Sequence, residues 1–187
     1  VFSQINGTLS TGDRGQLMGE NGCGKSTLMA LLGGIYAPEQ RKSLGERGAV
    51  VSLRRLRGSA ALQEQGSVIF TGTVWDNLFL PERKREAAAQ LLADLAFVKP
   101  LEYAIAGDGK NLSPGERKKI LLTRALLKEA PFLLLDEPLN HLDSVAREAL
   151  AVRLEERRGG LLLISHDPWL PERLGLEKRW ISAKLSC

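Results

Sequence analysis

The feature that most narrows what this chain can become is a run of nine residues near its start, Gly19-Glu20-Asn21-Gly22-Cys23-Gly24-Lys25-Ser26-Thr27. A strand end, Gln16-Leu17-Met18, precedes it, and a helical pattern from Lys25 to Leu32 follows and stops at Gly33-Gly34. The run fits G-x-x-x-x-G-K-[ST] in the strand–turn–helix setting that gives this pattern its meaning. Glycines let the backbone curl so that successive N–H groups point into one anion-sized hollow. The helix adds the positive end of its dipole to the same spot. Lys25 then neutralises the outer phosphates of a polyphosphate, and the Ser26 hydroxyl ligates Mg2+. The expectation is a nucleotide cradle made of Gly19, Asn21, Gly22, Cys23, Gly24, Lys25, Ser26 and Thr27.

The rest of the chain alternates short apolar runs with longer helical patterns, which predicts an α/β domain with a mainly parallel sheet. Ala60 to Gln65 reads as a strand end, and residues 75–128 read as mostly helical, with Glu86 to Leu95 rich in alanine and leucine. Pro131 stops the last of these helices before the strand Phe132-Leu133-Leu134-Leu135. A helix over about Val145 to Arg157 leads through Gly159-Gly160 into the strand Leu161-Leu162-Leu163-Ile164. Strands therefore lie early and late, with a helical insertion between them.

With 187 residues, 43% hydrophobic and 26% charged, the chain suits one globular domain. Its apolar runs stop far short of the roughly 20 residues a membrane span needs. Two cysteines, Cys23 and Cys187, make no disulfide framework, and His141 and His166 stand at no metal-ligand spacing with them. The net charge of +4 is spread over Arg54-Arg55-Leu56-Arg57, Arg83-Lys84-Arg85 and Arg117-Lys118-Lys119, with few aromatics between. These clusters read as solvated faces, and no direct contact with nucleic acid is expected.

A second chemical signal is Phe132-Leu133-Leu134-Leu135-Asp136-Glu137, an apolar strand that ends in two acids. Beside a phosphate cradle this is a ready magnesium site, with Asp136 holding the ion through water and Glu137 standing where an attacking water lies. A guanine reader would carry Asn-Lys-x-Asp. The nearest look-alike, Asn140-His141-Leu142-Asp143, lacks the lysine and follows directly on the acidic strand end. The GTPase reading is rejected.

On these residues the chain resembles the ATP-binding cassette family over essentially its whole length. The cradle resembles Walker A, and Leu135-Asp136-Glu137-Pro138 resembles Walker B with its catalytic glutamate. Gln65 resembles the Q-loop glutamine that contacts Mg2+ and the membrane partner, with Gln63 a second candidate for that role. Leu142-Asp143 resembles the D-loop, and Ser165-His166-Asp167 the switch histidine motif. Leu112-Ser113-Pro114-Gly115-Glu116 resembles the family signature, although Ser113 and Glu116 also form an S-x-x-E capping box that needs no ligand.

The resemblance implies a P-loop NTPase three-layer core with a helical subdomain inserted between the Q-loop and Walker B. It implies one nucleotide-binding domain over 1–187, trimmed at both ends, with its core at 1–70 and 131–187 and the helical part at about 73–130. Its implied cofactors are ATP and Mg2+. Glu137, His166 and Gln65 would be catalytic, and Ser26, Gln65 and Asp136 would hold the metal. Leu112, Ser113, Gly115, Glu116 and Asp143 would contact the ATP of a facing subunit. The implied partners are a second ABC cassette, as homo- or heterodimer, and a transmembrane domain on the same or a separate chain, which places the domain on the cytoplasmic side of a membrane.

Two functional readings stay open on sequence alone. Phe70-Thr71-Gly72-Thr73-Val74-Trp75-Asp76-Asn77-Leu78 and Gly109-Lys110-Asn111 resemble stretches of exporters, so the first reading is the ATPase domain of an ABC exporter. The second is a cassette of a soluble, ribosome-associated translation factor, a branch in which Leu112 to Arg117 and Asn140 to Asp143 also occur.

Overall fold

A computed structural model describes residues 10–36 and 57–180 of the chain. Arg54-Arg55-Leu56 of the first basic cluster, and Cys187, lie outside the described residues. Five strands form one sheet: β1 (Arg14–Met18), β2 (Ala60–Gln63), β5 (Phe132–Asp136), β6 (Gly160–Ile164) and β7 (Glu177–Trp180). Their order is β2-β5-β6-β1-β7, and every pairing is parallel. The predicted α/β class and mainly parallel sheet are what the chain adopts.

Alternation along the central strands builds the layers. Leu133, Leu135, Leu161 and Leu163 face one way and are buried with Leu150 and Leu154 of a long helix, here α5 (Ser144–Glu156). Leu134, Leu162 and Ile164 face the other way and are buried with Met29 of α1 (Lys25–Leu32). A parallel sheet needs cover on both faces, and runs such as FLLL and LLLI supply an apolar residue to each face at every step. Truncating one of these buried leucines to alanine costs about 2–5 kcal/mol in cores of this kind.

Between β2 and β5 the chain makes a second apolar centre. It is built from α2 (Val74–Leu78), α3 (Arg85–Asp94), α4 (Pro114–Leu127) and a small antiparallel hairpin of β3 (Gly72–Thr73) and β4 (Ala104–Ile105). Val74, Leu78, Leu92, Phe97, Ile105 and Ile120 are buried there. The hairpin is not legible in the sequence pattern because two-residue strands carry no periodicity, and β7, Glu177-Lys178-Arg179-Trp180, opens on three charged residues that give no apolar run to read. A short helix α6 (Trp169–Arg173) separates β6 from β7.

Helix ends follow local chemistry. α1 stops at Gly33 with Gly34 in the left-handed region at φ 73°, and Ile35 N–H donates to the Ala30 carbonyl over 2.8 Å. Thr73 and Asp76 cap α2 reciprocally, Ser113 and Glu116 cap α4 in the same way, and Asp143 accepts from Ala146 N–H at the start of α5. α1, α3 and α6 start without a side-chain cap. At α1 this leaves the first N–H groups of the helix facing the glycine-rich turn.

Candidate active site

The ends of parallel strands gather the residues singled out by sequence. The cradle follows β1, Asp136 and Glu137 end β5, His166 follows β6 and Gln65 follows β2, so all stand beyond the C-terminal ends of one sheet. This is where open α/β sheets bind ligands. β6 lies between β5 and β1, with Asp136 paired to Ile164 and Gln16 to Leu163. The buried Gln16 amide donates to the Ser165 carbonyl over 3.0 Å, which ties the cradle strand to the loop bearing His166.

The cradle has the curled backbone its residue types call for. Gly19, Gly22 and Gly24 have φ of 156°, 80° and 94°, and Gly24 is the N-cap residue of α1. A side chain at Gly24 would strain this left-handed turn. The Lys25 ammonium donates to the Gly19 and Glu20 carbonyls at 2.8 and 2.9 Å, bracing the loop from inside. Among the described residues, nothing lies within 4 Å of the point where a Cβ on Gly22 would stand. Ser26 is exposed, and Cys23 and Thr27 are half-buried. A helix start without a side-chain cap, beside open space and an internal ammonium, is chemically suited to a phosphate chain.

At the end of β5, Asp136 is 1% exposed, and both of its carboxylate oxygens are buried without a hydrogen-bond partner among the described residues. A buried carboxylate in that state is costly unless a cation meets it, so the donor set fits Mg2+. Glu137 follows in the left-handed region at φ 47°. Its N–H donates to the Ile164 carbonyl over 2.9 Å, and its carboxylate accepts from His166 N–H at 3.1 and 3.3 Å. The His166 Nε2 stands 3.5 Å from Glu137 Oε1, on a ring that is largely exposed. Burial pushes the Glu137 carboxyl above its ordinary range, only partly opposed by the His166 N–H and ring, as suits a base that must accept a proton.

The two glutamines separate. Gln65 is exposed in the turn after β2, whereas Gln63 is buried at the strand end. There Gln63 Oε1 accepts from the Lys118 ammonium over 2.9 Å. The same ammonium donates to the Glu137 carbonyl at 2.8 Å and the Asp136 carbonyl at 3.4 Å. Desolvation pulls Lys118 down to about 8, against the attraction of the Asp136 and Glu137 carboxylates. Beside it, Glu64 is raised by burial and by Asp136.

Lys118 and Lys119 correct the reading of Arg117-Lys118-Lys119 as a solvated face, because both lysines are buried. Lys119 donates to the Asp143 carboxylate at 2.7 Å and to the Ala96 carbonyl at 3.1 Å. The helical period could have signalled this for Lys118. It shares a stripe with the buried Leu121, Leu122 and Ala125, three, four and seven residues on.

The segment starting α4 is organised as its capping box predicts. Ser113 Oγ accepts from Glu116 N–H at 3.2 Å, and Glu116 accepts from Ser113 N–H at 2.8 Å. The other Glu116 oxygen is ion-paired with Lys99. Burial opposes the charge on Glu116, but Lys99 and Ser113 together hold its carboxyl below the usual range. Leu112 is buried in the second apolar centre, so it anchors Ser113 by packing. Lys119 first, then Ala146 N–H, hold the Asp143 carboxyl below its ordinary range.

Gly115 has a reason of its own. A Cβ there would stand 2.6 Å from the His141 carbonyl oxygen, a backbone atom. The loop after Walker B thus packs directly against the start of α4. Gly115→Ala is expected to destabilise the fold by about 1–3 kcal/mol through this overpacking. A thermal melt should show Tm lower by roughly 3–10 °C.

Comparison with known proteins agrees with this geometry. The family model described as ABC transporter matches residues 2–140. The ATP-dependent lipid A-core flippase of Alcanivorax borkumensis is 32% identical over 180 residues, covering 89% of this chain and 31% of the relative. CydC, the glutathione/L-cysteine transport system ATP-binding/permease protein of Escherichia coli strain K12, is 32% identical over 169 residues, covering 84% of this chain and 30% of the relative. A bacterial Atm1-family ABC exporter solved with ATP bound superposes with a TM-score of 0.75 at 26% identity, over 87% of this chain and 31% of that one. The chain spans about a third of the length of these curated relatives. With the family match running through the cradle, the start of α4 and the acidic end of β5, this chain belongs to the ABC transporter family.

Proposed function

We propose that this domain binds ATP together with Mg2+, hydrolyses it, and powers an exporter by closing head to tail on a second cassette. The observation that carries the proposal is the pairing of a cradle start with no side-chain cap and two carboxylate oxygens on Asp136 that have no hydrogen-bond partner among the described residues, at the same end of one sheet. Asp136, Ser26 and Gln65 are the residues that would hold the ion. Bound there, Mg2+ supplies positive charge against the phosphate oxygens. Lys25 adds a second positive charge next to the cradle amides, so negative charge spreading over the outer phosphoryl group meets fixed positive partners. Glu137 orients the attacking water and takes its proton, and the His166 backbone and ring keep that carboxylate in place.

The second half of the proposal concerns partners. Ser113, Gly115 and the first turn of α4 would face the ATP of the opposite cassette, where the positive helix end suits a phosphate. A transmembrane domain, on this chain or another, would dock at Val68, Phe70 and Phe79, which are exposed, with Arg124 over the Phe79 ring and donating to the Val68 carbonyl. Phe70 and Phe79 meet edge to face at 6.0 Å, and the buried Asn77 side chain fixes Phe70 through both its N–H and its carbonyl. An exposed aromatic pair on so well-anchored a backbone supports an interface. No described helix is long and apolar enough to cross a membrane. Similarity to a lipid A-core flippase and to an Atm1-family exporter supports transport over the ribosome-associated reading. The test is ATP hydrolysis by the protein with size measurement in parallel. Phosphate release that stops on chelating divalent cations, with dimers only in ATP, is the expected result. Hydrolysis indifferent to chelator, or none at all, would refute the proposal.

A further inference from the structure

Lys118 lies just over one turn into α4, its side chain buried beneath the residues that carry the proposed chemistry. Its three N–H groups meet three acceptors: Gln63 Oε1 on β2, and the carbonyls of Asp136 and Glu137 at the end of β5. None of these contacts involves the carboxylates themselves. They act on the backbone at the point where Glu137 takes its left-handed conformation at φ 47°. A non-glycine residue holds such a conformation only where its surroundings impose it. Among the described residues the Glu137 carbonyl otherwise accepts only a long bond from Asn140 N–H, at 3.3 Å.

We propose that Lys118 is a positioning residue for hydrolysis: it pins the Asp136–Glu137 peptide and so ties the aim of the Glu137 carboxylate to the helix whose first turn is the signature. The claim rests on the ATPase reading above for its consequence, but its geometry stands apart from it. α4 is capped by Ser113, begins at Pro114 and carries Lys118, so a displacement of its first turn is felt at the Glu137 carbonyl. The partnering residue Gln63 extends the same tie to β2, which leads into the turn bearing Gln65. Lys118 therefore bridges the helix that starts at the signature, the strand before Gln65 and the backbone that carries the Glu137 carboxylate. Neighbouring Lys119 makes a parallel tie from α4 to Asp143, so two successive lysines clamp the loop after β5 from both ends.

The test compares the protein with Lys118→Met, which keeps the stem and removes the donors, and Lys118→Gln, which keeps a donor one bond shorter. Two readouts are taken: amide hydrogen exchange at Glu137, Asn140 and His166, and ATP turnover set beside ATP affinity. Lys118→Met should speed exchange at those amides at least tenfold while leaving the cradle amides unchanged. It should lower kcat at least tenfold with ATP affinity within threefold of the parent. Lys118→Gln should recover part of both. In a Glu137→Gln background Lys118→Met should cost no further turnover, because a mispositioned residue that no longer acts cannot lose more. Exchange at Glu137 and Asn140 unaltered in Lys118→Met would overturn the proposal, as would turnover and affinity falling together. Should the parent protein fail to hydrolyse ATP, the functional reading fails while the exchange result still decides the role of Lys118.

Discussion

Glu137→Gln is expected to lower ATP turnover by roughly 10²–10⁴-fold while leaving ATP binding in place, the range a positioned general base contributes. The amide keeps the shape of the side chain and still accepts from His166 N–H, so the loop after β5 holds. What it loses is the capacity to take a proton from water. Because closure on ATP precedes hydrolysis in the proposed cycle, this variant should also accumulate as an ATP-bound dimer. Steady-state phosphate release and size-exclusion chromatography in ATP check both halves, and normal turnover would remove Glu137 from its role.

The same substitution has a consequence for stability whose sign follows from the raised carboxyl of Glu137. Burial makes the folded protein bind that proton more tightly than the unfolded chain does. Between the ordinary value of 4.5 and the raised one, ionisation therefore costs stability as pH rises, and the cost persists at neutral pH. Glutamine carries no charge and escapes it. Without nucleotide, Glu137→Gln should melt above the parent at neutral pH, with the gap closing as pH falls through the raised value. A gap that widens on acidification would contradict the assignment.

Lys25→Ala is expected to weaken ATP binding on the order of a hundredfold, close to the worth of a strong charge-assisted contact of about 3 kcal/mol. Two losses combine. The alanine removes the positive charge that would meet the outer phosphates, and it removes the ammonium that braces the loop through the Gly19 and Glu20 carbonyls. The second loss means the cradle itself relaxes, so even ADP affinity should fall. Isothermal titration with each nucleotide separates the two: equal weakening for ATP and ADP points to loop collapse alone, and unchanged affinity for both contradicts the cradle.

Much of this architecture could be read from the chain because its signals are local. A glycine-rich turn between a strand and a helix, leucine runs closed by acids, and S-x-x-E before a helix each state their structure within ten residues, and each formed as expected. What the pattern hid was tertiary. The β3–β4 hairpin is held by only two residues on each strand. Lys118 and Lys119 read as a solvated charge run because charge ordinarily seeks water, yet they lie on a helix packed against a strand end rich in carbonyls. Adjacent positions on a helix point about 100° apart, so the two lysines serve different partners, Gln63 and Glu137 for one and Asp143 for the other. Leu112, read from the sequence as a signature position, is buried in the second apolar centre, a packing role that the motif does not state.

The most direct measurement is paramagnetic broadening of backbone amide signals on titrating the protein with ATP and Mn2+ in place of Mg2+. Broadening strongest at Lys25, Ser26 and Thr27 and at Asp136 and Glu137, abolished by Asp136→Asn, is the predicted result. Broadening centred on any other part of the sheet, or unaffected by Asp136→Asn, would contradict a polyphosphate and its ion held between the two strand ends.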